Sequence, residues 1–173
     1  MSPRTTATLV ALLFLTSTAS FAAADAMPGT AAGAVLLAYT GLAVAGIGIA
    51  LLPILRPHSP ILATAYLALR LGECLVLLAA AADLVTGPLL VYAFTGAAGL
   101  ALAIVLVTSR LVPLLLAVLG VIGYLSLLVG AVLDLLNLSS LDSGPGIAFY
   151  VPGGLFELAL PVLLLVRGFA TPR

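Results

Sequence analysis

Long apolar runs separated by short polar breaks define this chain. Six runs, approximately 6–24, 31–55, 61–84, 89–107, 113–136 and 147–166, each come close to the ~20 residues that an α-helix needs to cross ~30 Å of hydrocarbon. Lipid offers no partner for a bare N–H or C=O, so a run of this length must close its own hydrogen bonds, and each is predicted as a transmembrane helix. The breakers collect in the gaps: Asp25, Pro28 and Gly29, then "RPHSP", "TGP", "TSRLVP" and "NLSSLDSGPG". Connections this short force successive helices to run antiparallel. Pro60, Pro88 and Pro113 fall where helices begin, the position at which a fixed φ and a missing N–H cost least. The expected fold is an all-α polytopic bundle of six helices forming a single transmembrane domain over residues 1–173.

Composition agrees with this pattern. The 173 residues are 64% hydrophobic and only 7% charged, against roughly 25% charged in soluble domains. Six arginines balance six acids and lysine is absent, so there is no basic face for nucleic acid. One cysteine, Cys74, and one histidine, His58, suffice for neither a disulfide nor a zinc site. The arginines also set an expected orientation, because cytoplasmic loops retain positive charge. With the N-terminus inside, Arg4, Arg56, Arg110, Arg167 and Arg173 all lie on the cytoplasmic side together with His58. Asp25 and Asp142 fall in outer loops, and Asp83 and Asp134 at the outer ends of the third and fifth spans. Both termini are therefore expected in the cytoplasm. The first run also admits a second reading as a secretory leader, with a basic start and an Ala-x-Ala at Ala22–Ala24 before Asp25. Cleavage there would leave five helices.

Arg70 is the arginine that this topology does not place at a membrane surface. It lies ten residues into the third span, about 15 Å from its start at ~1.5 Å per residue, and Glu73 follows one turn later. Glu157 precedes Arg167 by ten residues in the antiparallel sixth span, so it is expected at the same depth. An arginine at the bilayer centre costs about 2.5–3.5 kcal/mol on insertion scales and cannot shed its proton, so it requires an acidic partner. Glu73 at i+3 shares its helical face, and the guanidinium fork is wide enough to engage two carboxylates. The expectation is a buried cluster of Arg70, Glu73 and Glu157, with an Arg70–Glu157 contact between the third and sixth spans. Pro161 removes the N–H that would bond the Glu157 carbonyl, which predicts a helix kink beside the acid.

Small residues recur at close-packing spacing, Gly46 with Ala50, Gly99 with Ala103, and Gly120, Gly123 and Gly130, and predict tight packing within the bundle. Tyr39, Tyr66, Tyr92, Tyr124 and Tyr150 are expected to divide between interfacial anchors and core. Asp83, Asp134 and Asn137 are read as solvated helix ends, not a cation site, and His58 as an exposed loop residue. The Asn137 sequon abuts the membrane and carries no role.

The segments "SRLVPLLLAVLGVIGYLSLLVGAVLDLL" and "VPGGLFELALPVLLLVRGF", with the Arg-x-x-Glu of "ALRLGECLVLL", resemble the bacterial multipass family called domain of unknown function 4386. The chain departs from that family's pattern at Leu114, where a second basic residue is usual. The resemblance implies a bundle in a bacterial cytoplasmic membrane and brings with it no activity and no cofactor.

Two functional readings follow. In one, the Arg–Glu cluster fixes helix packing in a structural or partner-binding module whose partners are the bilayer and a second copy or another membrane protein. In the other, Glu73 and Glu157 serve a small transporter or proton conduit. An enzyme is not expected: the sequence contains no nucleophile–His–acid set, no metal cluster and no Gly-rich phosphate loop, so catalytic residues, metal and cofactor are all read as none.

Overall fold

A computed structural model describes residues 2–141 and 143–170. Asp142 and Arg173, which the sequence places in an outer loop and at the cytoplasmic end, lie outside the described residues. Six α-helices follow in order: α1 (Pro3–Asp25), α2 (Ala31–Leu55), α3 (Pro60–Ala81), α4 (Leu89–Ser109), α5 (Leu114–Leu135) and α6 (Val151–Val166). A 3-10 helix, Gly144–Tyr150, leads directly into α6, and together they form an apolar span of 23 residues. All six spans are long and apolar enough to cross a membrane.

The helix boundaries have local causes. Helix α1 begins at Pro3, earlier than the apolar run, because the Ser2 hydroxyl accepts a hydrogen bond from the Thr5 N–H at 3.1 Å and Pro3 takes the first helical position. Helix α3 is capped by Ser59 before Pro60 and stops at Ala81, short of the expected 84, where Asp83 turns left-handed at φ 55°. Helix α6 corrects the sequence reading more strongly. Its α-helical part starts at Val151, not Ile147, because Gly144, Pro145 and Gly146 favour a tight turn over α-helix.

Each helix packs on its neighbours in sequence, and α6 packs back on α1, so the six form a closed ring in which α3 and α6 stand on opposite sides. The connections α2–α3 and α4–α5 lie at one end with Arg4, Arg56, Arg110 and Arg167. The other three connections lie at the opposite end. At the arginine end the ring is filled: Val10, Leu51, Leu55, Leu102, Leu106 and Leu164 are among the buried apolar side chains that meet there. The Arg4 guanidinium donates to the Leu165 carbonyl at 2.6 Å, occupying a carbonyl at the end of α6 and joining that helix to α1. The outer surface is the reverse of a soluble protein's, with Ile61 and Leu115 more than four-fifths exposed and many other large apolar side chains beside them. Lipid is the solvent that suits such a surface, and the chain is a multipass membrane protein.

Glycines set the closest helix approaches. A Cβ on Gly123 would stand 2.5 Å from the Gly153 backbone nitrogen, and one on Gly99 would collide with the Tyr124 ring. Gly46, by contrast, meets only the tip of Leu13.

At the end remote from the arginines, Asp134 has a bond that the sequence does not reveal. Its carboxylate accepts from the Leu141 N–H at 2.8 Å and holds Leu141 buried under the loop at 1% exposure. Asp134→Ala is expected to destabilise the bundle by about 1–2 kcal/mol, the loss of a charge-assisted bond to an otherwise orphaned N–H. Thermal denaturation in detergent checks this, with Asp25→Ala as a control expected within about 0.5 kcal/mol of the parent.

Candidate functional site

The inward stripe of α3 reads Ala63, Tyr66, Arg70, Glu73, Leu77, a three-four spacing that aligns one face of a helix, and all five are buried. Two charged residues thus sit in the stripe that faces the ring's interior, while Leu71 and Leu75 face outward. Arg70 is 2% exposed and Glu73 3%. Arg70 Nη1 donates to Glu73 Oε2 at 2.7 Å, and Arg70 Nε donates to the Tyr66 hydroxyl one turn back at 3.2 Å. The guanidinium also lies 5.4 Å from the Tyr66 ring centroid and 5.7 Å from that of Phe14 on α1, within the range of cation–π attraction. The other Glu73 oxygen accepts from Thr95 on α4 at 2.6 Å. Arg70 Nη2 is buried and has no hydrogen-bond partner among the described residues.

Glu157 lies across the ring. Its Oε1 accepts from the Tyr124 hydroxyl of α5 at 3.1 Å, and Tyr124 in turn stacks edge-on against Phe156. The expected Arg70–Glu157 contact is not formed: Arg70 pairs with Glu73 within α3, and the α3–α6 separation follows from ring closure of α6 onto α1. The matching depths do bring the two residues to one space, because Arg70, Glu73 and Glu157 all line the same cavity. Pro161 is buried inside α6, which continues through it to Val166, and Glu157 is left with a backbone carbonyl that position 161 cannot bond.

That cavity, of about 170 Å³, occupies the half of the ring remote from the arginines. Its walls come from all six helices, with Phe21, Val44, Leu77 and Leu127 among the apolar contributors and Ser17, Thr40 and Thr95 among the hydroxyls. It is partly open, and towards the arginine end it stops at the packed core. Tyr92 and Tyr150 form its aromatic rim, with ring centroids 5.1 Å apart, and Phe21 lies 6.5 Å from Tyr92.

The sequence named the three charged residues and put Glu73 within reach of Arg70, but it did not name the hydroxyl partners Tyr66, Thr95 and Tyr124. Tyr66 was legible, since it stands four residues before Arg70 on the same face. Thr95 and Tyr124 were not, because nothing in their own spans marks which face turns inward. Of the tyrosines, Tyr66 and Tyr124 are core, while Tyr39 is exposed and donates to Thr16 on α1 at 2.7 Å. His58 is exposed in its turn.

No curated protein and no solved structure matches the chain. A family model does match, over residues 85–168, which cover α4 to α6 and hence Thr95, Tyr124 and Glu157. Arg70 and Glu73 fall outside the matched residues, so the likeness seen in the third span is not part of the match. The matching model is described as Domain of unknown function (DUF4386), and it is the α4–α6 part of the chain that carries membership of that family.

Proposed function

We propose that this protein is a non-enzymatic solute-binding membrane protein of transporter type, whose cavity takes up a small solute from the outer side of a bacterial cytoplasmic membrane. The supporting observation is that the buried polar groups do not satisfy one another: Glu157 presents a carboxylate to the cavity, and a donor of Arg70 has no partner among the described residues. A sealed register lock would pair them. Buried polar atoms that remain unpaired carry a penalty of about 1–3 kcal/mol each, which a protein retains where function uses them. The arginine distribution supports cytoplasmic termini, and with them a cavity that opens outward. The dry core beyond it speaks for an outward-facing site closed on the inner side, and not for a continuous proton wire.

A structural contribution accompanies this reading. Thr95 ties α4 to Glu73 on α3, and Tyr124 ties α5 to Glu157 on α6, so the same polar groups also hold neighbouring helices in register.

Cysteine accessibility tests the reading. In a Cys74→Ser background, Thr18→Cys on the cavity wall is expected to react with a small membrane-impermeant thiosulfonate added to the outer face of intact cells. Leu106→Cys in the packed core is expected to stay unlabelled. Labelling of Thr18→Cys only from the inner face would reverse the orientation, and none from either face would remove the wet cavity.

A further inference from the structure

The cavity's charge and lining point to one class of solute. Arg70 and Glu73 neutralise each other at 2.7 Å and are almost wholly buried, with the guanidinium further screened by the rings of Phe14 and Tyr66. The remaining acid is Glu157, which is only partly buried and accepts a bond from Tyr124, although a carboxylate can accept several. One arginine against two glutamates leaves the cavity one acidic side chain without a cationic partner. Tyr124 stands beside that carboxylate and Tyr92, Tyr150 and Phe21 line the same cavity, aromatic walls whose ring quadrupoles attract a cation. A hard metal ion would need about six or more oxygen ligands, and a single carboxylate among apolar walls does not provide them. An anion would have to be held by Arg70, which is buried and already paired with Glu73. The volume, about 170 Å³, is close to the roughly 150 Å³ that accommodates a benzene-sized molecule.

We propose that the cavity binds a small organic ammonium ion with an apolar body of about one ring, with Glu157 as the counter-ion of its cationic head and the aromatic side chains of the cavity wall beside it. This rests on the reading of the cavity as a solute site. Gly154 lines the same space and nothing lies within 4 Å of where its Cβ would be, so a larger side chain there would occupy the cavity without striking another helix.

The test uses the full chain in detergent or nanodiscs, with isothermal titration of three probes of equal size: benzylammonium, benzyl alcohol and benzoate. Benzylammonium is expected to bind at least tenfold more tightly than benzyl alcohol, and benzoate more weakly than either. Glu157→Gln should reduce benzylammonium affinity tenfold or more while leaving benzyl alcohol unchanged, which also reports that the variant is folded. Gly154→Leu, which leaves the Glu157–Tyr124 bond in place, should abolish binding of both. Equal or tighter binding of the alcohol or benzoate, or an unchanged ammonium affinity in Glu157→Gln, overturns the ammonium assignment while leaving a solute cavity standing. Binding of none of the three, with Thr18→Cys still labelled from outside, has the same consequence. Binding of none, with Thr18→Cys unlabelled, ends both proposals.

Discussion

Glu73→Ala is expected to destabilise the folded bundle by about 3–5 kcal/mol, because it strands Arg70 in the ring's interior without its ion-pair partner. Neither escape route open to other residues is available: guanidinium keeps its proton, its stem lies against Gly48, and its head lies by the rings of Phe14 and Tyr66. Thr95 also loses the acceptor it reaches at 2.6 Å, although a threonine in a helix can turn its hydroxyl back to a carbonyl of the preceding turn. The double variant Arg70→Met, Glu73→Leu is expected to recover most of the loss, since an apolar pair of similar volume removes the desolvation cost along with the attraction. Exchanging the charges between positions 70 and 157 is expected to recover nothing, because those side chains are not in contact. Thermal melting of purified protein in one detergent ranks all four chains. A double variant no more stable than Glu73→Ala would show that the pair does more than neutralise itself.

Gly123→Val is expected to prevent assembly of the native ring. The α5–α6 contact there is backbone against backbone: even a Cβ would stand 2.5 Å from Gly153 N and 2.6 Å from its Cα. Overpacking of side chains typically costs about 1–3 kcal/mol because rotamers give way, but here no rotamer exists to move, so the whole of α6 must shift. Displacement of α6 also breaks the Tyr124–Glu157 bond and opens the α1–α6 closure. Gly154→Ala, one residue beyond the contact and with open space around it, is expected to be neutral or to stabilise by about 0.5–1 kcal/mol through helix propensity. The pair is read by the yield of monodisperse protein on size exclusion and by melting. Equal behaviour of the two variants would contradict the helix approach described here.

The same contrast bears on the first helix. Ala7, Val10, Ala11 and Phe14 are buried in the common core, and Phe14 also covers Arg70. Helix α1 is therefore one of the six walls, which the Ala-x-Ala at its end could not disclose.

What the sequence determined by itself was the number, approximate extent and antiparallel order of the spans, together with the identity of the charged residues inside them. These follow from one-dimensional physics: an unbroken apolar run of membrane length must be helical, short breaks force reversal, and a charge within such a run must find shelter. It also carried the depths of Arg70 and Glu157, which follow from helix rise alone. The tertiary structure decided which helices meet. Equal depth places two residues on the same plane, but only ring closure of α6 onto α1 determines that α3 and α6 face each other across a gap, so that Arg70 turns to Glu73 and Glu157 to Tyr124. The space between them, which no single helix encodes, is the cavity.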